Sequence, residues 1–141
     1  MISKIKSLMT SFNIIQPRLG QKTSFCEVLR DLTDNRKLVY FGEIHSQPAI
    51  INMQLAVLQS LQEHVQKKQA KVHVFLEHFS INDQSLIDEY ISNPAITEED
   101  LERKYHELSE EGHDIEKYFP IFQFAKENLN TITLNGSFIP R

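Results

Sequence analysis

The stretch Lys37-Leu-Val-Tyr-Phe-Gly-Glu-Ile-His-Ser46 decides the fold of this chain, and Lys71-Val-His-Val-Phe-Leu-Glu-His-Phe79 repeats its pattern downstream. Each is a short apolar run, rich in β-branched and aromatic residues, that ends in Glu and His. Apolar runs of this length predict buried strands. Ionisable side chains at the end of a buried strand are costly unless they have a function there. Because one helical segment separates the two runs, they predict a site at the carboxyl edge of a parallel sheet, where open α/β folds bind ligands.

Size and composition favour one globular domain. The chain has 141 residues, of which 40% are hydrophobic and 24% are charged, values close to those of average globular proteins. Its formal net charge of −4 argues against a protein that binds nucleic-acid phosphates, which would need a basic face. The single cysteine, Cys26, excludes an internal disulfide and a cysteine-based zinc cluster. No stretch approaches the roughly 20 apolar residues of a transmembrane helix.

The N-terminus differs in composition from the rest of the chain. Residues 1–26 contain lysine and arginine but no acidic residue, and serines are spread among their apolar residues. This composition is typical of a mitochondrial presequence. An ordinary poorly ordered arm explains it equally well. We therefore predict an arm or targeting segment at residues 1–23, followed by a domain at residues 24–141.

The periodicity of apolar residues predicts an α/β order of elements. A strand, a helix and a strand in close succession form a βαβ unit, whose two strands are nearly always parallel. The predicted fold is thus α/β, with a parallel sheet of three strands and crossover helices. Because so small a parallel sheet leaves its edges and faces uncovered, we expect the N-terminal portion of a larger α/β domain, or a second copy or partner that completes the sheet. Strands are predicted at 37–42, 71–77 and 130–135. Helices are predicted at 24–32, 47–69 and 82–91, then one that begins at residue 97, and a last one at 118–129.

Glu43, His45 and Glu77 are the candidate catalytic and metal-binding residues. In an extended backbone the side chains at positions i and i+2 point the same way, and Glu77 ends the neighbouring predicted strand. Two carboxylates and an imidazole suit a divalent metal ion or acid–base catalysis. Gly42 permits close approach of a ligand, and Asn135 ends the third predicted strand at the same edge. The predicted ligand-binding residues are therefore Gly42, Glu43, His45 and Asn135.

The other histidines are expected outside this site. His78 follows Glu77 and is predicted to point to the opposite side of its strand. A purely structural alternative also exists, in which Glu43 caps the following helix and His45 lies in a turn. No phosphate-binding glycine loop, H-E-x-x-H motif or nucleophile elbow is present in the sequence. The remaining histidines, expected within a strand or at the surface, are His64, His73, His106 and His113.

Several segments of the chain together carry a resemblance to a known family. They are Val39–Pro48, the helix from Ile50, Val74–Phe79, and Tyr118–Lys126 running into Leu134-Asn135 and Pro140-Arg141. These segments resemble the ChaN-like haem-binding family of the Tiki superfamily, over roughly residues 24–141. In that family the first motif usually reads L-G-E-x-H-D-N-P, and Ser46-Gln47 replaces its Asp-Asn pair here.

The resemblance implies an α/β fold and haem binding linked to iron uptake. The tyrosine that looks like the family's haem-iron ligand lies in the later half of a longer domain, and none of the four tyrosines of this chain matches it. The wider superfamily includes metal-dependent peptidases with a G-x-x-H motif and esterases that use a Glu/His pair, and Gly42-Glu-Ile-His45 is similar to both. Three interpretations follow: a haem-binding protein, a metal-dependent hydrolase that uses Glu43, His45 and Glu77, and a shortened remnant with neither activity.

Overall fold

The computed structural model of the protein describes residues 14–16, 21–35 and 37–137, which form helices and two small sheets. Most of the segment that was predicted to be an arm or presequence lies outside these residues. A short antiparallel hairpin is described within it, and the mixed helices and parallel strands that follow agree with the predicted α/β class. In chain order the elements are β1 (Ile14–Gln16), β2 (Gln21–Thr23), α1 (Phe25–Asn35), α2 (Pro48–Lys67), β3 (Val72–Ser80), α3 (Gln84–Ser92), α4 (Glu98–Leu108), α5 (Phe119–Glu127) and β4 (Ile132–Ser137).

Local sequence signals set the helix starts. The backbone N–H of Ser24 donates to the Glu27 carboxylate at 2.9 Å, and the N–H of Glu27 donates to the Ser24 hydroxyl at 3.2 Å, which is a capping box before α1. Thr97 and Asp100 form the same arrangement before α4. The long helix α2 begins at a proline, where the missing N–H costs nothing. These boundaries agree closely with the sequence prediction.

The parallel sheet contains two strands among the described residues, so the prediction of three strands is wrong. β3 and β4 pair in parallel, with Val72 opposite Ile132 and Leu76 opposite Gly136. The pairing becomes irregular after Leu76 and ends at Ser80. The strand predicted at residues 37–42 is not formed, and this region is irregular.

The missing strand still has an extended backbone pattern. Burial alternates along residues 38–44, with Val39, Phe41 and Glu43 partly buried and the residues between them exposed. A strand also requires a ladder of backbone hydrogen bonds to a neighbour, and this segment forms none with any other described residues. The alternation of burial is therefore that of a strand, but the predicted strand itself is not formed.

One main hydrophobic core surrounds the carboxyl end of β3. Its most deeply buried aromatic residues come from β3 and from the helical segments packed on it, and Leu58 of α2 joins them. Leu55, also on α2, is partly buried against the same core. Among the described residues, no helix combines the length and the apolar character needed to span a bilayer. The most deeply buried aromatic side chains are Phe79, Tyr90, Tyr105, Tyr118 and Phe122.

Gly136 permits the close approach of β4 to the end of β3. A Cβ atom at Gly136 would lie 2.1 Å from the backbone oxygen of Ser80, whereas one at Gly42 would meet nothing within 4 Å. We expect Gly136→Ala to lower the free energy of unfolding by about 2 kcal/mol or more, because the contacting atom is backbone and cannot move aside. Urea unfolding measures this loss, with Gly42→Ala as the matched control. Equal stability of the two variants would contradict the close approach.

Candidate functional site

The carboxylate of Glu43 lies at the centre of a polar cluster. Its side chain is 6% exposed. The Tyr118 hydroxyl donates to Oε1 at 2.9 Å, and Nδ1 of His45 donates to the same oxygen at 3.0 Å. The Gln54 amide donates to Oε2 at 2.5 Å, and Nε2 of His78 lies 2.9 Å from Oε1. Glu43 thus contacts side chains from several elements at once.

The local backbone explains why Glu43 and His45 meet. Glu43 points inward from the extended segment, and the chain then turns at Ser46, which has a φ of 59°. The Ser46 N–H donates to the Tyr118 hydroxyl at 3.1 Å. Pro48 begins α2 directly afterwards, and this helix carries Gln54 back towards the carboxylate. The predicted closeness of Glu43 and His45 is confirmed, although it arises from a turn rather than from a strand end.

Three imidazole rings lie together beside Glu43. The ring centroids of His45, His78 and His113 are separated by 5.1 to 5.2 Å. One ring nitrogen from each lies within 4.8 Å of the others. His78 is 5% exposed and His45 is 43% exposed, so the cluster opens to solvent at His45. Imidazole nitrogens are ligands that transition metals and haem iron accept.

A buried tyrosine fixes the backbone of two of these histidines. The Tyr105 hydroxyl donates to the His78 carbonyl oxygen at 2.8 Å and accepts the N–H of His113 at 3.1 Å. The ring of Tyr118 packs against that of His78, with centroids 3.9 Å apart. The positions of the histidines are therefore set by side chains of the hydrophobic core.

Burial and hydrogen bonding shift the pKa values of the cluster. Burial lowers the pKa of His78 to about 4, although the Glu43 carboxylate opposes the shift. Burial alone would raise the pKa of Glu43, but hydrogen bonds from Tyr118 and Gln54 outweigh it and hold this pKa below its usual value. Burial, with Glu43 adding to it, raises the pKa of Tyr118 to about 12. At neutral pH the site therefore holds a carboxylate, a neutral His78 and a hydroxyl donor.

The structure places the other predicted site residues away from these contacts. Glu77 is exposed on β3, and the contact to Glu43 comes from its neighbour His78. The Asn135 amide donates to the Val74 carbonyl at 3.1 Å, within the sheet. Gly42 is exposed directly before Glu43.

The prediction that His78 lies outside the site is wrong. Leu76 and His78 are both buried and lie two residues apart on β3, whereas Glu77 between them is exposed. Alternation along the strand therefore contained the signal for His78. His113 was also expected at the surface, and it lies in a loop for which no periodic signal exists. In the sequence, Tyr118 stands out only as one residue of an aromatic segment, and nothing there identifies it as a residue of the site.

His78 should make the stability of the protein depend on pH. Its pKa of about 4 in the folded protein lies below the ordinary value of 6.5, so the unfolded chain binds more protons between these values. We expect the free energy of unfolding to be greatest above pH 6.5 and to fall towards pH 4, by about 1.4 kcal/mol per pKa unit of difference. The lowered pKa of Glu43 adds to the loss at the acidic end, because its contacts favour the ionised form. Urea unfolding at a series of pH values measures this profile.

The matched variants are His78→Gln and His73→Gln. The first removes the titrating ring and should flatten the profile. The second changes an exposed ring, whose Nδ1 lies 2.8 Å from the Thr133 hydroxyl, and should keep the wild-type slope. An unchanged slope in His78→Gln would show that other groups cause the acid sensitivity.

Comparison with known proteins identifies the family of the chain. The model of the family described as haem-binding uptake, Tiki superfamily, ChaN matches residues 28–141. No curated protein and no solved structure matches the chain. The matched range contains Glu43 and all three clustered histidines, and it covers most of the sequence. The chain therefore belongs to the ChaN haem-binding uptake family of the Tiki superfamily.

Proposed function

We propose that this protein binds haem and that the His45 imidazole is its ligand to iron. The observation that carries the proposal is the hydrogen bond from His45 Nδ1 to the buried Glu43 carboxylate. This bond holds the ring in place and leaves Nε2 with the lone pair that an iron ligand needs. Histidines that bind metals almost always donate their other ring N–H in this way.

The surface beside His45 supplies the apolar contacts that a porphyrin needs. Leu38, Tyr40 and Ile44 all lie on the exposed side of the extended segment, and Tyr40 is 87% exposed. Haem binding requires an apolar surface next to the axial ligand. We propose that a porphyrin held at His45, whose side chain is 43% exposed, extends over these apolar side chains.

The cavity at the start of α2 does not fit a porphyrin. Its volume is about 180 Å³, and Pro48, Ile51 and Pro120 are among the residues that line it. Pockets that enclose small molecules usually measure roughly 300 to 1,000 Å³. The proposed haem therefore lies on the exposed apolar surface at His45 rather than inside this cavity.

The contacts of Glu43 favour haem binding over the hydrolase alternative. A general base needs a carboxylate oxygen that can accept a proton from water or substrate. Oε1 of Glu43 already accepts from Tyr118 and His45, and Oε2 accepts from Gln54. Glu77 lies on the exposed side of β3.

Three further statements stay predictions from the sequence. They are a link to iron uptake, completion of the sheet by a second copy, and mitochondrial targeting.

Titration with haemin, followed by its Soret band, tests the proposal. We expect saturable binding with one haem per chain and a loss of affinity of tenfold or more in His45→Ala, because the axial ligand is removed. His64→Ala is the matched control. His64 lies near the end of α2, where its Nδ1 is 3.8 Å from an Asp34 carboxylate oxygen, and its replacement should leave the titration unchanged.

A further variant tests the apolar surface. Tyr40→Ser should weaken haemin binding while leaving the axial ligation, and hence the shape of the Soret band, unchanged. Broad, non-saturating spectral changes that His45→Ala does not alter would contradict the proposed site.

A further inference from the structure

His78 contains a buried nitrogen that haem binding does not explain. Its side chain is 5% exposed, and its Nδ1 has no hydrogen-bond partner among the residues that the structure describes. A buried polar atom left without a partner costs about 1–3 kcal/mol. Because Nε2 of the same ring faces the Glu43 carboxylate, which can only accept, Nε2 carries the hydrogen and Nδ1 carries a lone pair. A bound cation would satisfy this lone pair.

The two neighbouring imidazoles lie next to His78, and His45 Nδ1 is 3.3 Å from His78 Nε2. One nitrogen from each of His45, His78 and His113 lies within 4.8 Å of the other two. Three nitrogens bound at about 2.1 Å to one tetrahedral ion lie roughly 3.4 Å apart. Each pair of nitrogens is therefore at most about 1.4 Å further apart than in such a site. The partly exposed ring of His45 is the one with most freedom to move.

The surroundings hold the rings in an arrangement suited to a metal. Glu43 accepts from His45 Nδ1 and lies 2.9 Å from His78 Nε2, the position of the carboxylate in carboxylate–histidine–metal arrangements. Tyr105 binds the backbone of both His78 and His113. The ring positions are thus set before any ion arrives, which lowers the cost of assembling the site.

We propose that His45, His78 and His113 bind one divalent transition-metal ion, with Glu43 orienting the first two rings. The ion would be Zn²⁺, Co²⁺ or Ni²⁺, since these ions accept imidazole nitrogen, whereas Mg²⁺ and Ca²⁺ prefer oxygen ligands. This inference does not rest on haem binding, because it requires His113 and an ion without a porphyrin. It differs from the predicted ligand set of Glu43, His45 and Glu77 in that two histidines replace Glu77.

Titration of the full chain with CoCl₂ tests the site, because tetrahedral Co²⁺ absorbs strongly in the visible range and binding can also be measured by calorimetry. We expect one Co²⁺ per chain, displaced by Zn²⁺ but not by Mg²⁺. His113→Gln and His45→Gln should each weaken binding at least tenfold, and Glu43→Gln should weaken it by about 10- to 100-fold. The variants change His113 and His45 rather than the buried His78, so that folding is retained.

Two controls make the outcome specific. His64→Gln should bind Co²⁺ as the wild type does. Glu102 belongs to a separate carboxylate group with Asp114 and Glu116, so Glu102→Gln should also leave binding unchanged. Wild-type affinity in His113→Gln, or loss of the ion in Glu102→Gln alone, would overturn the inference. Haemin binding by His113→Gln reports separately on the proposed haem site, which does not use His113.

Discussion

The buried carboxylate of Glu43 is the interaction on which the arrangement of this structure depends. A charge removed from water is costly unless several polar groups replace its hydration. Here the replacements are Tyr118, His45, Gln54 and His78, which lie on different elements. The extended segment is therefore tied to α2, to the end of β3 and to the turn before α5 through one side chain. Loss of any partner leaves part of that charge uncompensated.

Two buried tyrosines join the hydrophobic core to the site. Each hydroxyl accepts a backbone N–H and donates to an oxygen: Tyr118 connects Ser46 with Glu43, and Tyr105 connects His113 with His78. Burial raises the pKa of both tyrosines, so both remain donors at neutral pH. The same side chains thus pack the core and position Glu43 and the histidines. For this reason the geometry of the site and the stability of the fold are linked.

The extended segment at residues 38–44 forms no ladder of backbone hydrogen bonds with the other described residues, and its two sides have different surroundings. One side of it carries Glu43 into the cluster, and the other presents Tyr40 and Ile44 to solvent. Contiguous exposed apolar surface is a feature of many ligand-binding sites. The proposed haem site combines these side chains with the His45 imidazole, which directly follows Ile44 in the chain.

The sequence by itself determined the elements governed by neighbouring residues. The capping boxes at Ser24 and Thr97 set two helix starts, and the G-E-x-H spacing placed Glu43 beside His45. Only the tertiary structure decided that the first apolar run pairs with no other strand in the described part of the chain, since pairing depends on a distant neighbour. It also brought His113 to the cluster, through a hydrogen bond to the hydroxyl of Tyr105. Such contacts join surfaces that meet only after folding, and no local periodicity encodes them.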